Sequence, residues 1–440
     1  MYFSLKSLTL HSLVYSFIVS IIMKKVNLLL CGLAVVFVAA SCDKKSTTPD
    51  PEPEPEPEPV VEPVNLSADG TSNCYVITAA DWYAFNATVK GNGAATEGLK
   101  APAVIEPKGA KLVWETAKGM ISDVAYEDGR ITFTASEQKG NALIAATDAE
   151  GTILWSWHIW APEDEFGAVE TKNGYKVANM NIGAMKSAYT GDVKPYGMLY
   201  QWGRKDPFPA SPTVTGTTTT VGAPLYDADG KNVSITNSSW SDTKSNTLAY
   251  SIANPTVCLS NYAQYYTSKD WLAADASNDA LWGNPKGSEK DSDNKYANKG
   301  AKSYFDPCPV GYRVPPADVF SYFTTSGGYS EDISTYDIAD VNGDGKKDGD
   351  DFRYGWDFNM REGSQHFPAA ARYDGSYAML YGSVSGIWGS YWGNCPASSV
   401  SSVGTAFCVL SFQKITAGTS TSPNGVASRA DAYSVRCIKE

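Results

Sequence analysis

The stretch FDPCPVGYRVPPADVFSYF, residues 305–323, carries the strongest fold signal in this 440-residue sequence. Pro316 suits the first position of a helix, because the N–H that proline lacks would have no partner there. Val319 and Phe320 share one helical face with the last phenylalanine of the stretch, and Gly327 can end the segment. The sequence therefore predicts a helix that begins at Pro316 and ends by Gly327.

The region before this stretch has the pattern of short strands. In two segments apolar residues stand at every second position, which is the period of half-buried strands. The first segment contains Tyr83, Phe85, Ala87 and Val89, and the second contains Ile131, Phe133 and Ala135. Asp128 and Gly129 predict a hairpin turn, and ILWSWHIW, residues 153–160, predicts an aromatic strand. Several such strands predict a β-sandwich over residues 65–164. His158, which stands between tryptophans, is interpreted as a packed residue rather than a ligand.

Motifs from residue 196 onward carry a family resemblance. They are YGMLYQWGRKDPFP (196–209), the stretch 305–323, FPAAARY (367–373), SGIWGSYWGN (385–394) and the terminal YSVRCIKE. In this order they resemble the Fibrobacter succinogenes major paralogous domain, a family of secreted and lipid-anchored bacterial domains, over roughly Val169 to Glu440. The first unit resembles the sandwich that precedes this domain in lipoproteins of gut Bacteroidetes.

The resemblance implies a fold class and a disulfide. The family is distantly similar to the C-type lectin-like fold, in which a long disulfide ties an early helix to the last strand. We therefore expect a mainly β protein with some α, in which an N-terminal β-sandwich precedes an α+β C-type lectin-like domain over residues 165–440 with long loop insertions. The resemblance implies the pair Cys308–Cys437.

The other cysteines leave alternatives open. Cys395 and Cys408 are expected as a second pair that bridges a serine-rich, hairpin-like loop. Cys74 and Cys258 either pair with each other across the two units or stay as buried thiols, since sequence alone does not fix connectivity.

The N-terminus has the features of a bacterial lipoprotein signal. From Met23, the expected translation start, two lysines precede an apolar core that is too short for a membrane span. The signal therefore covers residues 1–41, and Ala39-Ala40-Ser41 before Cys42 resembles a lipobox. We expect Cys42 to be lipidated and to anchor the protein to the outer membrane, on its periplasmic or cell-surface face.

Residues 42–64 contain the repeat PDPEPEPEPEP. Proline at alternate positions fixes φ and removes backbone donors, so the chain adopts extended polyproline II. Glutamates between the prolines repel each other and stiffen the segment. We expect a stalk that holds the folded body away from the membrane.

An acidic segment, DVNGDGKKDGDD, follows the calcium-loop template. The template places ligands at positions one, three, five, seven, nine and twelve, and a glycine at six. In this chain the ligand positions are occupied by Asp340, Asn342, Asp344, Lys346 through its carbonyl, Asp348 and Asp351. The loop resembles the dockerin calcium repeat, but this chain has one copy, and FRYGWDF after it does not have a helical pattern. We expect a structural calcium ion, and the alternative is a solvated acidic loop.

A polar insertion over residues 207–300 interrupts the second domain. Its one helical pattern, SKDWLAADASNDALWGN, begins with Ser268 as cap and ends at Gly283. Long loops on a folded body usually carry function or are disordered. Aromatic residues within this insertion favour function.

No catalytic residues are assigned. The sequence contains no G-x-S-x-G, phosphate-loop or H-E-x-x-H motif. Cys395 and Cys408 do not have the spacing of the redox pair in formylglycine-generating enzymes. A glycosidase needs two carboxylates across a cleft, and the sequence does not identify such a pair. An enzyme is therefore the least favoured class.

A binding or adhesion module is the favoured class. Net charge is −12, so nucleic acid is not an expected partner. Four aromatic residues in the glycine-rich C-terminal loops are candidate ligand contacts: Tyr377, Tyr381, Trp388 and Tyr391. The alternative places such aromatics in the core, and Trp392 in particular. A glycan is slightly favoured as ligand, and a protein-binding adhesin or a subunit of a surface or fimbrial assembly is the alternative.

Overall fold

The computed structural model describes residues 62–238, 246–260, 270–273, 279–295, 297–316, 318–396, 403–411, 414–415 and 426–440. Strands make up 32% of the described residues and helices 6%, so the prediction of a mainly β protein is confirmed. Residues 61–440 form one compact unit.

Between residues 62 and 161, the regular elements of the described chain are all strands. These are β1 (Val64–Asn65), β2 (Cys74–Val76), β3 (Asp81–Asn86), β4 (Gly109–Glu115), β5 (Ile121–Glu127), β6 (Arg130–Ala135), β7 (Gly140–Thr147) and β8 (Ile153–Ala161).

Short elements follow, among them one described α-helix. They are β9 (Ala168–Glu170), β10 (Lys176–Ala178), β11 (Met198–Gln201), β12 (Phe208–Pro209), β13 (Leu225–Tyr226), β14 (Asn232–Val233), β15 (Thr236–Asn237), α1 (Leu248–Ala253), β16 (Val257–Cys258) and β17 (Tyr312–Arg313).

From residue 355 onward, the described residues form ten further strands. They are β18 (Gly355–Asn359), β19 (Ser364–Pro368), β20 (Tyr373–Asp374), β21 (Met379–Leu380), β22 (Gly389–Pro396), β23 (Val403–Ser411), β24 (Lys414–Ile415), β25 (Val426–Ser428), β26 (Ala432–Ser434) and β27 (Ile438–Lys439).

Two sheets organise the N-terminal part. One has the order β1-β3-β6-β5, and the other has the order β14-β13-β4-β7-β8-β2. Asp128 and Gly129 both have positive φ in the turn between β5 and β6, as the hairpin prediction requires. The rings of Phe85 in β3 and Trp157 in β8 lie 5.1 Å apart, so the two sheets face each other across an aromatic core.

The predicted boundary at residue 164 lies inside one continuous hydrophobic core. Every residue of β7 is buried. In β8, Trp155 packs against Phe305, and Trp160 packs against Phe166 and donates to the carbonyl oxygen of Ala184. The central strands of the first part are therefore covered by the second part, not by solvent.

The strand β27 joins two earlier strands of the second part in one sheet. β27 pairs with β10 and β17 in the sheet β17-β27-β10-β9. A nine-stranded sheet contains β11, β26, β22 and β23 in adjacent positions. Cys308 and Cys437 form a disulfide, with their Cα atoms 6.0 Å apart, as the family resemblance implies.

The predicted helix from Pro316 to Gly327 is wrong. The described residues form only a 3-10 turn, Ser321–Phe323. Val319, Phe320 and Phe323 are nevertheless fully buried, and the Phe323 ring stacks on Phe358. A single turn buries all three apolar side chains. No further apolar residue follows at helical spacing, so a longer helix would bury nothing more.

The predicted helix from Ser268 to Gly283 lies partly outside the described residues. The described flanks, 270–273 and 279–283, contain no α-helix. The observed helix of the insertion is α1, which Thr247 caps by accepting from the Tyr250 N–H. Within the described part of the chain, no helix is long and apolar enough to cross a membrane.

Candidate functional site

An open groove of about 500 Å³ lies between the insertion and the β20–β21 hairpin. Its lining consists of small, apolar and uncharged polar residues: Pro209, Thr220–Tyr226, Asn232–Ile235, Asn237, Tyr373, Ala378 and Met379. Val221, Asn232 and Ser234 are among the lining residues that are exposed, so the groove is accessible from solvent. Its size lies in the usual range for small-ligand sites.

Backbone hydrogen bonds hold the two walls of this groove together. The Leu380 N–H donates to the Thr220 carbonyl oxygen over 3.1 Å, and the Gly382 N–H donates to that of Thr219 over 3.2 Å. The Asn237 side chain donates to the Tyr377 carbonyl oxygen over 3.1 Å, at the groove's rim. The insertion is therefore fixed along the hairpin rather than projecting from it.

Next to the groove lies an aromatic platform, which we define as Tyr381 and Trp388 together with Arg372. The guanidinium carbon of Arg372 is 5.8 Å from the Tyr381 ring centre and 5.6 Å from that of Trp388. These are cation–π distances. Arg372 thereby joins two rings that are seven residues apart in the sequence.

Neighbouring acidic groups keep Arg372 charged. Burial alone would lower the pKa of Arg372, but Tyr433, Asp431 and Asp374 raise it above its usual value. The Asp374 carboxylate lies 3.8 Å from the guanidinium. The platform thus contains a cation that nearby acidic groups balance, between one exposed and one half-buried aromatic residue.

Two of the four predicted aromatic contacts are solvent-exposed. Tyr377 is 66% exposed and Tyr381 is 47% exposed, while Trp388 is half-buried. Tyr377 is tied to the groove's rim through Asn237, and Arg372 contacts both Tyr381 and Trp388. Val221 and Ile387 are also exposed, so large apolar side chains concentrate here.

The fourth predicted contact, Tyr391, is wrong. This residue lies in β22, whose residues are all buried, and it is fully enclosed. Its hydroxyl donates to the Pro368 carbonyl oxygen over 3.0 Å. Trp392 is fully buried as well, in agreement with the core interpretation of that residue. Glycines around these positions suggested a loop, but they belong to a central strand.

Sequence reasoning did not identify the groove itself. Its walls come from segments about 140–160 residues apart, which meet through the hydrogen bonds of residues 219–220 with 380–382 and of Asn237 with Tyr377. The one available signal was the insertion, whose aromatic and polar composition favoured function.

The acidic loop adopts the turns of its template. Gly343 and Gly345 have φ of 75° and 82°, which a residue with a side chain rarely adopts. The Asp340 carboxylate accepts from both of their N–H groups, over 2.7 and 2.8 Å. Asp344 accepts from the Lys346 N–H over 2.8 Å.

The two ends of this loop are joined. Asp351 is buried, and its carboxylate accepts from the Val341 N–H over 2.9 Å and from the Asp348 N–H over 3.2 Å. Asn342 accepts from the Asp344 N–H over 3.0 Å.

No three acidic, thiol or imidazole groups among the described residues converge as a metal-binding group. The calcium site therefore stays a prediction.

The predicted pair Cys395–Cys408 stays a prediction, because the side chain of Cys408 in β23 lies outside the described residues. Cys74 and Cys258 are separate buried thiols, which was one of the two expected alternatives.

Cys74 belongs to a buried polar network around His158. The imidazole Nδ1 lies 3.6 Å from the Cys74 sulfur and 3.3 Å from the Tyr200 hydroxyl, and Nε2 lies 2.8 Å from the Asn141 side-chain oxygen. Burial raises the pKa of Cys74 well above its usual value and lowers that of His158 to about 3. Thiol and imidazole are therefore both neutral, and the network is part of the core, as expected for His158.

A second buried network connects the two parts of the chain. The Lys205 ammonium lies 2.5 Å from both the Ser156 hydroxyl and the Asp206 carboxylate. The Ser156 hydroxyl donates to the same carboxylate over 2.6 Å. Arg204 donates to the Asn254 carbonyl oxygen after α1. Burial lowers the pKa of Lys205, and the Asp206 charge opposes this.

Comparison with known proteins gives no match. No protein-family model matches the chain, and no curated protein or solved structure matches it significantly. Cys42, the predicted lipidation site, lies outside the described residues.

Proposed function

We propose that the protein is a lipid-anchored bacterial envelope protein with a non-catalytic binding function, and that its ligand is a glycan. The observation that carries this proposal is the groove, next to which Tyr377 and the aromatic platform are exposed. The anchor would be Cys42, followed by the proline-rich stalk, as the sequence predicts.

The chemistry of the groove suits a sugar. Sugar rings have apolar C–H faces that pack on aromatic rings, and they have hydroxyl groups that need hydrogen-bond partners. Tyr377 and Tyr381 are exposed and Trp388 is half-buried, while Asn232, Ser234 and other polar residues line the groove.

A protein ligand is the second candidate. Val221 and Ile387 are exposed aliphatic residues beside the same site. Aliphatic side chains add apolar area, which the buried centre of a protein interface uses. In this case the protein would act as an adhesin or as a subunit of a surface assembly.

The finer fold assignment is also a proposal. The facing sheets of the N-terminal part support a β-sandwich, and the disulfide Cys308–Cys437 supports membership of the Fibrobacter succinogenes major paralogous family with its C-type lectin-like fold. We propose further that calcium binds the loop 340–351 and stabilises it without contacting the ligand. The glycine turns and the joined loop ends support this proposal, and extracellular calcium loops bind at about 10⁻⁴–10⁻³ M.

Binding of the purified full chain to an immobilised glycan panel tests the proposed function. Tyr381→Ala should weaken binding by about fivefold or more, because truncating a central contact residue costs more than about 1 kcal/mol. Tyr329→Ala is the matched control, since Tyr329 is a 51% exposed tyrosine that does not line the groove. Equal affinities of both variants and the unaltered protein would contradict the site.

A further inference from the structure

The groove and the aromatic platform are continuous along one strand edge. Met379 lines the groove, the Leu380 side chain is buried, and Tyr381 is exposed. Successive side chains of an extended segment point to opposite faces, so Met379 and Tyr381 project to the same side. Their spacing along the chain is about 6.5 Å. A ligand that leaves the groove over Met379 therefore meets the Tyr381 ring next.

A second segment runs beside this edge. The Thr217 N–H donates to the Gly382 carbonyl oxygen over 3.1 Å, and the carbonyl oxygens of Thr219 and Thr220 accept from residues 382 and 380. Thr220 lines the groove, whereas Thr217 lies beside the residue that follows Tyr381. The backbone of residues 217–220 therefore runs hydrogen-bonded beside residues 380–382, from the groove to the platform.

The charge distribution disfavours an acidic ligand. Among the described residues, none that lines the groove carries a carboxylate, an ammonium or a guanidinium group. Arg372 already faces Asp374, and Asp431 contributes to its raised pKa. The chain as a whole carries a net charge of −12, which repels anions at long range.

We infer that the groove and the platform form one elongated site for a linear, uncharged oligosaccharide, with one sugar unit in the groove and a following unit on Tyr381. This inference rests on the proposed function and specifies its ligand. Each unit in contact adds apolar and hydrogen-bonding area, so affinity should increase with chain length until both parts are occupied.

The test uses neutral and acidic sugars of matched length. Binding of the full chain is measured by calorimetry for malto-, cello- and manno-oligosaccharides of one to six units, and for oligogalacturonides of the same lengths. We expect affinity for at least one neutral series to rise about tenfold or more from the single sugar to the longer chains, the change that ~1.4 kcal/mol produces. The oligogalacturonides should bind more weakly at every length.

Two variants separate the groove from the platform. Ser234→Trp fills the groove with a bulky ring from an exposed position and should remove binding of all lengths. Tyr381→Ala should weaken binding of the longer chains and leave that of the single sugar unchanged. Ser122→Trp, at an exposed serine of β5 outside the groove, is the matched control and should have no effect.

The outcomes distinguish this inference from the proposed function. If oligogalacturonides bind more tightly and Ser234→Trp removes that binding, the protein binds glycans but the uncharged ligand class is wrong. If Tyr381→Ala weakens the single sugar as much as the longer chains, the elongated site is wrong. If no sugar binds, or if Ser234→Trp and Ser122→Trp behave alike, the proposed glycan function itself fails.

Discussion

Removing the disulfide Cys308–Cys437 should destabilise the protein by an amount that its loop length sets. The two cysteines are 129 residues apart in the sequence. By the loop-entropy model, a closed loop of this length reduces the entropy of the unfolded chain by an amount worth about 5 kcal/mol. The compact unit, residues 61–440, has an unfolding entropy of roughly 0.8 kcal/mol/K at about 2.1 cal/mol/K per residue. Loss of the disulfide should therefore lower the Tm by about 6 °C.

The assay is thermal unfolding of the double variant Cys308→Ala/Cys437→Ala, followed by circular dichroism. Both cysteines are fully buried, so the variant also loses core packing. Cys258→Ala is the matched control, because Cys258 is a buried thiol outside any disulfide. Its Tm change measures the loss of one buried sulfur without the opening of a loop.

The comparison isolates the loop contribution. We expect the double variant to lose about 6 °C beyond twice the loss of the Cys258→Ala control. A double variant whose Tm loss is no larger than twice that of the control would refute the loop-entropy reasoning for this disulfide.

Four further perturbations test other features. Asp206→Asn leaves two buried cations without their carboxylate and should cost about 3–5 kcal/mol in urea unfolding, and a loss below ~1 kcal/mol would contradict the role of that network. Burial alone would raise the pKa of Asp357, but its histidine and arginine partners lower this pKa below the usual 3.8. The ionised carboxylate therefore stabilises the fold above pH 3.8, and this stabilisation is lost as the pH falls further. Asp357→Asn should accordingly show a smaller Tm decrease between pH 7 and pH 3 than the unaltered protein; an equal decrease would contradict this. Calcium added after chelation should raise the Tm, and Asp340→Ala with Asp344→Ala should abolish the rise while glycan binding survives; binding lost in a folded variant would place calcium in the ligand site. Cys42→Ser should move the protein out of the membrane fraction, and its retention there would contradict the lipid anchor.

Local patterns were sufficient for part of the fold. In β6 the residues Ile131, Phe133 and Ala135 are buried at alternate positions, as their spacing predicts. The turn at Asp128 and Gly129 also follows from the sequence, because a two-residue hairpin turn needs positive φ at both positions. Such features depend only on neighbouring residues.

Other features depend on contacts between distant segments. The apolar residues after Pro316 fit one helical turn and a 3-10 turn equally well, so their spacing did not settle the element. Tyr391 and Tyr381 both lie among glycines, yet one is enclosed in β22 and the other is exposed beside the groove. Burial here is decided by which strands pair on either side, and the sequence around each tyrosine does not contain that information.

The pairing of β27 with β10 has a consequence for the order in which the chain can fold. Val177 lies opposite Ile438, so the pairing of β10 with β27 cannot form until residue 438 has been made. Ribosomes add about 5–20 residues per second, and the roughly 260 residues between these strands therefore take on the order of 10–50 s. For about the first half of that time Trp155 lacks Phe305, the later residue that its ring contacts in the core. A variant that lacks residues 437–440 would therefore leave β10 without its pairing to β27, and Cys308 without its disulfide partner.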